Sequence, residues 1–180
     1  MPERYVEVAP QNVRIAWNEV TRQTVEDRLV RGSICGIKVG KAGKPLPGAV
    51  FGLFAEGTTE FTKENALSTA VSDASGAFDF ADVVFGNYLL RELEAPAGYV
   101  LSGEIFEVRI TGNNVVIELG NLENKPVTGK LELTKLDTST GKPLPNAGFH
   151  IKDTEGNTVV EGYTDEHGIA RFTLGYGEYT

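Results

Sequence analysis

The stretch GKPLPGAVF (43–51) occurs again as GKPLPNAGF (141–149), and this match reveals an internal repeat. Three further matches follow the same order along the chain: 32–38 with 129–135, SDASGAFDF (72–80) with TDEHGIARF (164–172), and GNYL (86–89) with GEYT (177–180). The repeat length is 97 residues (129 − 32). A fixed period identifies repeat architectures. The sequence therefore predicts a complete domain at 32–128, the N-terminal half of a following domain at 129–180, and the C-terminal strands of a preceding repeat at 1–31.

Within the complete copy, short segments rich in Val, Ile, Phe and Tyr alternate with clusters of turn-forming residues such as KAGKPLPG, SDASG, APAG and TGNN. This pattern is typical of β-strands joined by tight turns. The predicted strands lie at 32–39, 48–55, 67–73, 77–82, 86–94, 104–111 and 114–123. Seven short strands in about a hundred residues predict an all-β, Greek-key, Ig-like β-sandwich, arranged here in tandem repeats.

The composition excludes several classes of function. The 180 residues carry a net charge of −8, which argues against nucleic acid as a partner. The single cysteine rules out an internal disulfide, and the two histidines, His150 and His167, have no metal-ligand spacing, so we expect no metal or other cofactor. No run of 18 apolar residues exists, so we expect no membrane contact within this segment. The N-terminus lacks the apolar region of a signal peptide, and we expect a fragment of a longer protein.

Two lysines follow apolar strand positions. Strand alternation places Lys38 on the same face as Ile34, and Lys135 on the same face as Leu131 and Leu133, so both lysines are expected to face the core. Burial lowers the pKa of a lysine, and a neutral amine is a nucleophile. The alternative is a lysine at the end of a strand whose ammonium reaches solvent.

A carboxyl group follows a second apolar stripe. Tyr88, Leu90 and Glu92 share one face of their strand, so Glu92 is expected to point inward, where burial favours the protonated carboxyl. Glu94 has the same parity but ends the strand before Pro96, and we expect it to be solvated. The alternative for Glu92 is a carboxylate at the rim of the core, paired with a lysine.

Asn124 ends the last predicted strand with the wrong parity for the core. A bulge at 120–121 would return Asn124 to the side of Val115 and Ile117. The alternative is a turn asparagine ahead of Pro126. At the repeat offset, Asp27 takes the place of Asn124 in the preceding copy.

The series G-x-I-x-x-x-K, GKPLPGAVF, D-x-x-G-x-F, E-x-x-A-P-x-G-Y and a closing N-x-P resembles a Cna B-type (SpaA-like) domain, a repeated module of Gram-positive pilins and adhesins. The resemblance covers 32–128 fully and 129–180 as far as that half extends. It implies a prealbumin-like β-sandwich and an isopeptide bond between Lys38 and Asn124. It also implies that Glu92 is the catalytic residue, polarising the amide oxygen and relaying a proton. Lys135 and Asp27 would be the cross-link residues of the flanking repeats and would stay unbonded within this chain.

The resemblance further implies a structural stalk module of a cell-surface adhesin or pilin, extracellular and attached to the cell wall in the parent protein. Its partners would be neighbouring repeats of the same protein. It would not be an enzyme, apart from one autocatalytic turnover. The alternative is a ligand-binding adhesin module for a host protein or glycan, for which the segment 56–67 is the best candidate contact.

Simpler roles are expected for other conspicuous residues. Asp73, Asp137 and Asp165 sit in turns, which predicts side-chain capping of the turn backbone and not calcium binding. Trp17 is expected to contribute to packing.

Overall fold

The computed structural model describes residues 4–180, which form eleven strands and one short 3₁₀ helix, Lys41–Gly43. No helix in this part of the chain is long and apolar enough to cross a membrane. The seven strands predicted for 32–128 are confirmed as β1 to β7, with bounds that differ by at most two residues. The strands are β1 (Arg31–Val39), β2 (Val50–Ala55), β3 (Ser68–Val71), β4 (Ala77–Val84), β5 (Gly86–Glu94), β6 (Ile105–Ile110), β7 (Val115–Glu123), β8 (Thr128–Thr134), β9 (Gly148–Lys152), β10 (Thr158–Tyr163) and β11 (Ile169–Gly175).

The chain divides into two compact units. Unit 1 comprises Met1–Pro96 and Leu101–Asn124, and unit 2 comprises Ala97–Val100 and Lys125–Thr180. Unit 1 contains two sheets, with strand orders β4-β1-β7 and β3-β2-β5-β6. Alternate side chains of both sheets form one buried hydrophobic core, so the predicted all-β sandwich is confirmed. Its most buried members include Ile34, Phe51, Leu90 and Ile110.

The first and last strands of unit 1 lie side by side. β1 pairs with β4 in antiparallel fashion and with β7 in parallel fashion. In the parallel pairing, Cys35 lies opposite Glu118 and Ile37 opposite Asn121, so β7 contains one extra residue. Gly120 within this bulge has a φ of 69°. The predicted bulge is confirmed, and it turns the residues that follow it back toward the core.

Unit 2 repeats the first four strands of unit 1. β8 pairs with β11 and β9 with β10, as β1 pairs with β4 and β2 with β3. A smaller core forms from Ile151, Ala170, Phe172 and Leu174. In the described part of unit 2, β8 has no strand at its other edge. Lys135 is exposed, so the prediction that it faces a core is wrong. The physical reason is that no strand covers the position that β7 covers in unit 1.

Residues 4–30 form no strand; one isolated bridge joins Tyr5 and Leu29, and residues 17–18 lie in a turn. Their assignment to a preceding repeat stays a prediction. Trp17 lies in a turn and is 91% exposed, so the expectation that it contributes to packing is wrong. A side chain at the tip of an extended segment has no neighbouring layer to pack against.

The turn aspartates cap their turns as predicted. The carboxylate of Asp73 accepts hydrogen bonds from the backbone N–H groups of Ser75 and Ala77. Asp137 accepts bonds from Ser139 and Thr140, and these bonds lower the pKa of Asp137 to about 2. Asp165 follows the same pattern with backbone donors in its turn.

The bulge generates a stability prediction. Gly120 has a left-handed backbone, and an added Cβ would meet no atom within 4 Å. Replacing Gly120 with Ala should therefore lower the stability of unit 1 by about 1–2 kcal/mol, through backbone strain alone. Gly103 also has open space around it but has no positive φ, so Gly103→Ala is the matched control. Urea unfolding of both variants measures the difference, and equal stabilities would contradict the role given to the bulge.

Candidate functional site

Three polar side chains meet inside the core of unit 1. Lys38 on β1, Glu92 on β5 and Asn124 directly after β7 are each at most 2% exposed. Lys38 Nζ donates a hydrogen bond to Asn124 Oδ1 at 2.7 Å and lies 3.3 Å from Glu92 Oε1. Asn124 Nδ2 donates to both Glu92 oxygens, at 2.8 and 2.9 Å. The three residues singled out in the sequence thus form one closed hydrogen-bonded cluster.

The backbone of Lys38 is fixed by two of the repeated motifs. Its N–H donates to the carbonyl of Gly76 at 2.7 Å, and its carbonyl accepts from the N–H of Leu46 at 2.9 Å. Gly76 has a φ of 78°, and a Cβ there would collide with the Lys38 carbonyl. A glycine is therefore required at this position of the D-x-x-G turn, because the turn backbone packs directly against the backbone of Lys38. The sequence predicted the turn but not this contact.

Asn124 and Glu92 are each held by a backbone contact of their own. The N–H of Asn124 donates to the carbonyl of Val39 at 2.9 Å, which continues the pairing of β7 with β1. The N–H of Ser102 donates to Glu92 Oε2 at 2.8 Å and orients the carboxylate. The Ser102 contact was not foreseen, because a backbone donor leaves no signal in residue type.

Two stacked rings, Phe51 and Phe78, called here the aromatic wall, border the site on one side. Lys38 Nζ lies 5.6 Å from the centre of the Phe51 ring, and Phe51 stacks on Phe78 with a centroid separation of 4.0 Å. Rings at these positions keep water away from the amine. Desolvation by burial lowers the pKa of Lys38, although attraction to Glu92 acts in the opposite direction. Lys38 is therefore more readily deprotonated than a lysine in water.

The arrangement corrects one detail of the sequence-based mechanism. Glu92 was expected to contact the amide oxygen of Asn124, but that oxygen accepts its hydrogen bond from Lys38, and Glu92 faces the amide nitrogen. Glu92 Oε1 is thus within reach of two nitrogens, Nζ of Lys38 and Nδ2 of Asn124. A carboxyl in this position can carry a proton from one nitrogen to the other.

The remaining candidate residues lie outside this cluster. Glu94 is solvated as predicted and pairs with Lys63 at 2.6 Å. In the segment 56–67, the ring of Phe61 packs edge-on against Phe54, with 4.9 Å between centroids, and under the guanidinium of Arg91. Asp27 and Lys135, the expected cross-link residues of flanking repeats, are both exposed.

The cluster generates a prediction on stability and its pH dependence. In the chain without a bond between Lys38 and Asn124, Glu92→Gln removes the countercharge of the buried ammonium and should destabilise unit 1 by about 3–5 kcal/mol at neutral pH. Without that charge the pKa of Lys38 falls further below the ordinary value of 10.5. Between the folded and unfolded pKa values the unfolded chain binds more protons, so the stability of the variant should rise as the pH is raised through this window.

Urea unfolding at several pH values measures both effects. Glu94→Gln is the matched control, because Glu94 is half-exposed on the same strand, and it should change stability by no more than about 0.5 kcal/mol. A Glu92→Gln variant whose stability falls with rising pH would contradict a Lys38 pKa lowered by burial.

Comparison with known proteins places the chain in a family. The family described as SpaA, prealbumin-like fold domain, matches residues 32–124 and 129–180. A search of curated protein sequences gave no match. Among solved structures, the Bacillus anthracis TIE protein is 34% identical with a TM-score of 0.74, over 86% of this chain and 28% of that one. The chain therefore spans just over a quarter of the TIE protein.

Two pilins also match, with lower scores. The Streptococcal ancillary pilin is 23% identical with a TM-score of 0.46, over 89% of this chain and 58% of that one. BcpA, the major pilin subunit of Bacillus cereus, is 17% identical with a TM-score of 0.44, over 83% of this chain and 86% of that one. Because the match to the family covers residues 32–124 and 129–180, well over half of the chain, the chain belongs to the SpaA prealbumin-like fold domain family.

Proposed function

We propose that this chain is a structural stalk module of a Gram-positive cell-surface adhesin or pilin, in which unit 1 forms an isopeptide bond between Lys38 and Asn124 without an enzyme. The observation that carries the proposal is the buried contact of Lys38 Nζ with the carboxamide of Asn124, beside Glu92. In this proposal 32–128 is the complete domain, and 1–31 and 129–180 belong to the repeats on either side.

The reaction starts from neutral Lys38 and protonated Glu92, a state reached when Nζ of Lys38 gives one proton to Oε1 of Glu92, 3.3 Å away. Nζ of Lys38 attacks Cγ of Asn124, and Glu92 gives its proton to Nδ2, which leaves as ammonia. Glu92 then takes the proton that Nζ releases, and the carbonyl re-forms. One amide replaces another, one ammonia is released, and Glu92 ends as it began. Because Lys38 and Asn124 are consumed, each chain reacts once, so Glu92 is catalytic within its own domain and the protein is not an enzyme.

Folding supplies most of the rate acceleration in this scheme. The strand pairing of β1 with β7 brings the amine to the carboxamide, which converts an encounter of two groups into a reaction within one fixed assembly. The aromatic wall and the Ser102 N–H keep the reacting groups dry and oriented. Dry, preoriented groups need little rearrangement when charge develops.

The position of the bond suits a protein under tension. It would close a loop of 86 residues. By analogy with a disulfide, this loop would lower the conformational entropy of the unfolded chain and stabilise the fold by roughly 4–5 kcal/mol. It would also join the end of β1 directly to the residue after β7. A force applied along the chain would then pass through the covalent bond and bypass the strands in between. The covalent link needs no disulfide, which fits a chain with one cysteine.

This role implies an extracellular location, attachment to the cell wall through the parent protein, and neighbouring repeats as partners. The alternative role, binding of a host protein or glycan through the segment 56–67, has less support. The one aromatic ring in that segment, Phe61, is engaged by Phe54 and Arg91 and is not presented for a ligand.

Intact-mass measurement tests the proposal. The wild-type chain should be one ammonia lighter than its sequence, and Lys38→Ala, Glu92→Ala and Asn124→Ala should each have the full mass of their own sequence. Peptide mapping should find residues flanking Lys38 and Asn124 in one branched peptide.

Lys135→Ala is the matched control, because Lys135 is the equivalent lysine of the second copy but is exposed. It should keep the loss of one ammonia. A wild-type chain of unmodified mass, or a loss of ammonia that survives Lys38→Ala, would disprove the proposed bond.

A further inference from the structure

The connection between β2 and β3 is much longer than its counterpart in unit 2. It comprises twelve residues, 56–67, called here the cover loop, whereas β9 and β10 are joined by five, 153–157. Connections of about two to five residues are the commonest way to join paired antiparallel strands. In 153–157 the carboxylate of Asp153 accepts hydrogen bonds from the N–H groups of Glu155 and Asn157 and closes the turn. The cover loop therefore contains more residues than this strand pair needs.

The cover loop buries an aromatic side chain on the outer face of the sheet β3-β2-β5-β6. Phe51 and Leu53 belong to the hydrophobic core, so strand alternation places Phe54 on the outer face. Phe54 is nevertheless 0% exposed, because the ring of Phe61 packs edge-on against it with 4.9 Å between centroids. A Cβ at Gly52 would lie 2.6 Å from the Phe54 ring, so the glycine leaves room for that ring. The result is a small apolar cluster outside the sandwich.

The second copy carries polar side chains at the matching positions. By the repeat, His150 takes the place of Gly52. Lys152 takes the place of Phe54. Both polar residues are exposed, as expected for a sheet face in contact with water. The long loop and the outward aromatic residue thus occur together in unit 1, and neither occurs in the described pair β9 and β10. Covering the outer face is therefore a property of this loop and not a requirement of the fold.

The cover loop holds β5 on both sides of Glu92. The guanidinium carbon of Arg91, the residue before Glu92, lies 5.0 Å from the centre of the Phe61 ring. Leu93, the residue after Glu92, lies beside the ring of Phe54. Because Glu92 itself points inward, the two residues that flank it are both packed from the opposite side of the sheet.

Polar contacts attach the cover loop near both ends of β5. Asn87 Nδ2 donates a hydrogen bond to Glu56 Oε2 at 3.1 Å. Lys63 Nζ pairs with Glu94 Oε1 at 2.6 Å. All four residues are exposed, and exposed pairs of this kind stabilise a fold only slightly. The main restraint of the loop on β5 is therefore the apolar contact made by Phe61.

We propose that the cover loop is a positioning element for the reaction of Lys38 with Asn124. In this inference, which rests on the proposed bond, Phe61 is the residue that keeps β5 and its Glu92 in place. Glu92 Oε1 must reach two nitrogens at once, Nζ of Lys38 at 3.3 Å and Nδ2 of Asn124 at 2.8 Å. A displacement of β5 away from the core lengthens both distances, and a shift of about 1 Å can slow a reaction about a hundredfold.

Timed bond formation tests the role of Phe61. The full chain assembled by chemical ligation in guanidinium chloride has never folded and is therefore unreacted. After dilution, acid-quenched samples give the loss of ammonia by intact mass, and circular dichroism gives the rate of folding. Phe61→Ala should fold but lose ammonia at least about tenfold more slowly than the wild type. Phe61→Leu, which keeps an apolar side chain against Phe54, should fall between the two. Thr59→Ala, at an exposed residue of the same loop, is the control and should match the wild type.

The dependence of the rate on pH separates positioning from stability. The pKa of Lys38 is lowered by burial and raised by the carboxylates of Glu92 and Glu104. The reaction needs one dissociable proton on the pair of Lys38 and Glu92, so its alkaline limit is the pH at which the pair loses that proton. If Phe61→Ala lets Glu92 move away from Lys38, their attraction weakens and this limit moves to lower pH. A variant that is only less stable folds to a smaller extent and leaves the limit unchanged.

A Phe61→Ala chain that folds and loses ammonia at the wild-type rate would overturn the role of the cover loop, and the bond itself would stand. If Phe61→Ala does not fold, Phe61→Leu carries the same test, and a wild-type rate with an unchanged alkaline limit would overturn the proposal. A wild-type chain that folds and keeps its full mass would instead remove the bond, and the positioning role with it.

Discussion

The contact between Lys38, Glu92 and Asn124 is the constraint on which unit 1 depends. An ammonium and a carboxylate taken out of water are costly unless each is paired and hydrogen-bonded. The carboxamide of Asn124 completes the set, since its oxygen accepts from Lys38 and its nitrogen donates to Glu92. No buried side-chain nitrogen or oxygen among the described residues lacks a hydrogen-bond partner. The cluster is therefore tolerated only as a whole, and it requires β1, β5 and the end of β7 to be in place together.

Several local backbone features bring β1, β5 and the end of β7 into the positions that the cluster requires. The extra residue in β7 at Gly120 restores the parity that brings Asn124 inside. The positive φ of Gly76 lets a turn carbonyl approach the N–H of Lys38. The N–H of Ser102 fixes the carboxylate from the far side. In each case a backbone feature sets the position of one of the three polar side chains, so the precision of the site derives from the strands and turns around it.

Periodicity predicted the strands, whereas the grouping of Lys38, Glu92 and Asn124 was implied by the resemblance to a Cna B-type domain. The alternation of apolar residues placed Lys38 and Glu92 on inward faces, and the parity of Val115 and Ile117 required a bulge for Asn124 to face the same side. Alternation fixes which face of a strand a side chain occupies, but it does not fix whether that face is covered. This is why Lys135 was wrongly expected to be packed. Its exposure depends on which strands are present beside it. The contacts of Ser102 and Gly76 escaped prediction because a backbone donor or acceptor is common to nearly every residue.

A comparison of Lys38 and Lys135 shows how much of a lysine's burial depends on its own strand and how much on the completed sandwich. β1 and β8 have matching sequences and matching antiparallel partners, yet Lys38 is 1% exposed and Lys135 is open to solvent. Lys38 is covered by Glu92 on β5 and by the end of β7, and the described part of unit 2 has no strand in either place. A lysine of this type therefore stays in contact with water until the neighbouring strands dock, and only their docking buries it. Because β7 joins β1 across most of the domain, this pairing is a long-range step that costs loop-closure entropy. Any bond formed by Lys38 must then follow folding, so that the covalent link can fix only a correctly closed sandwich.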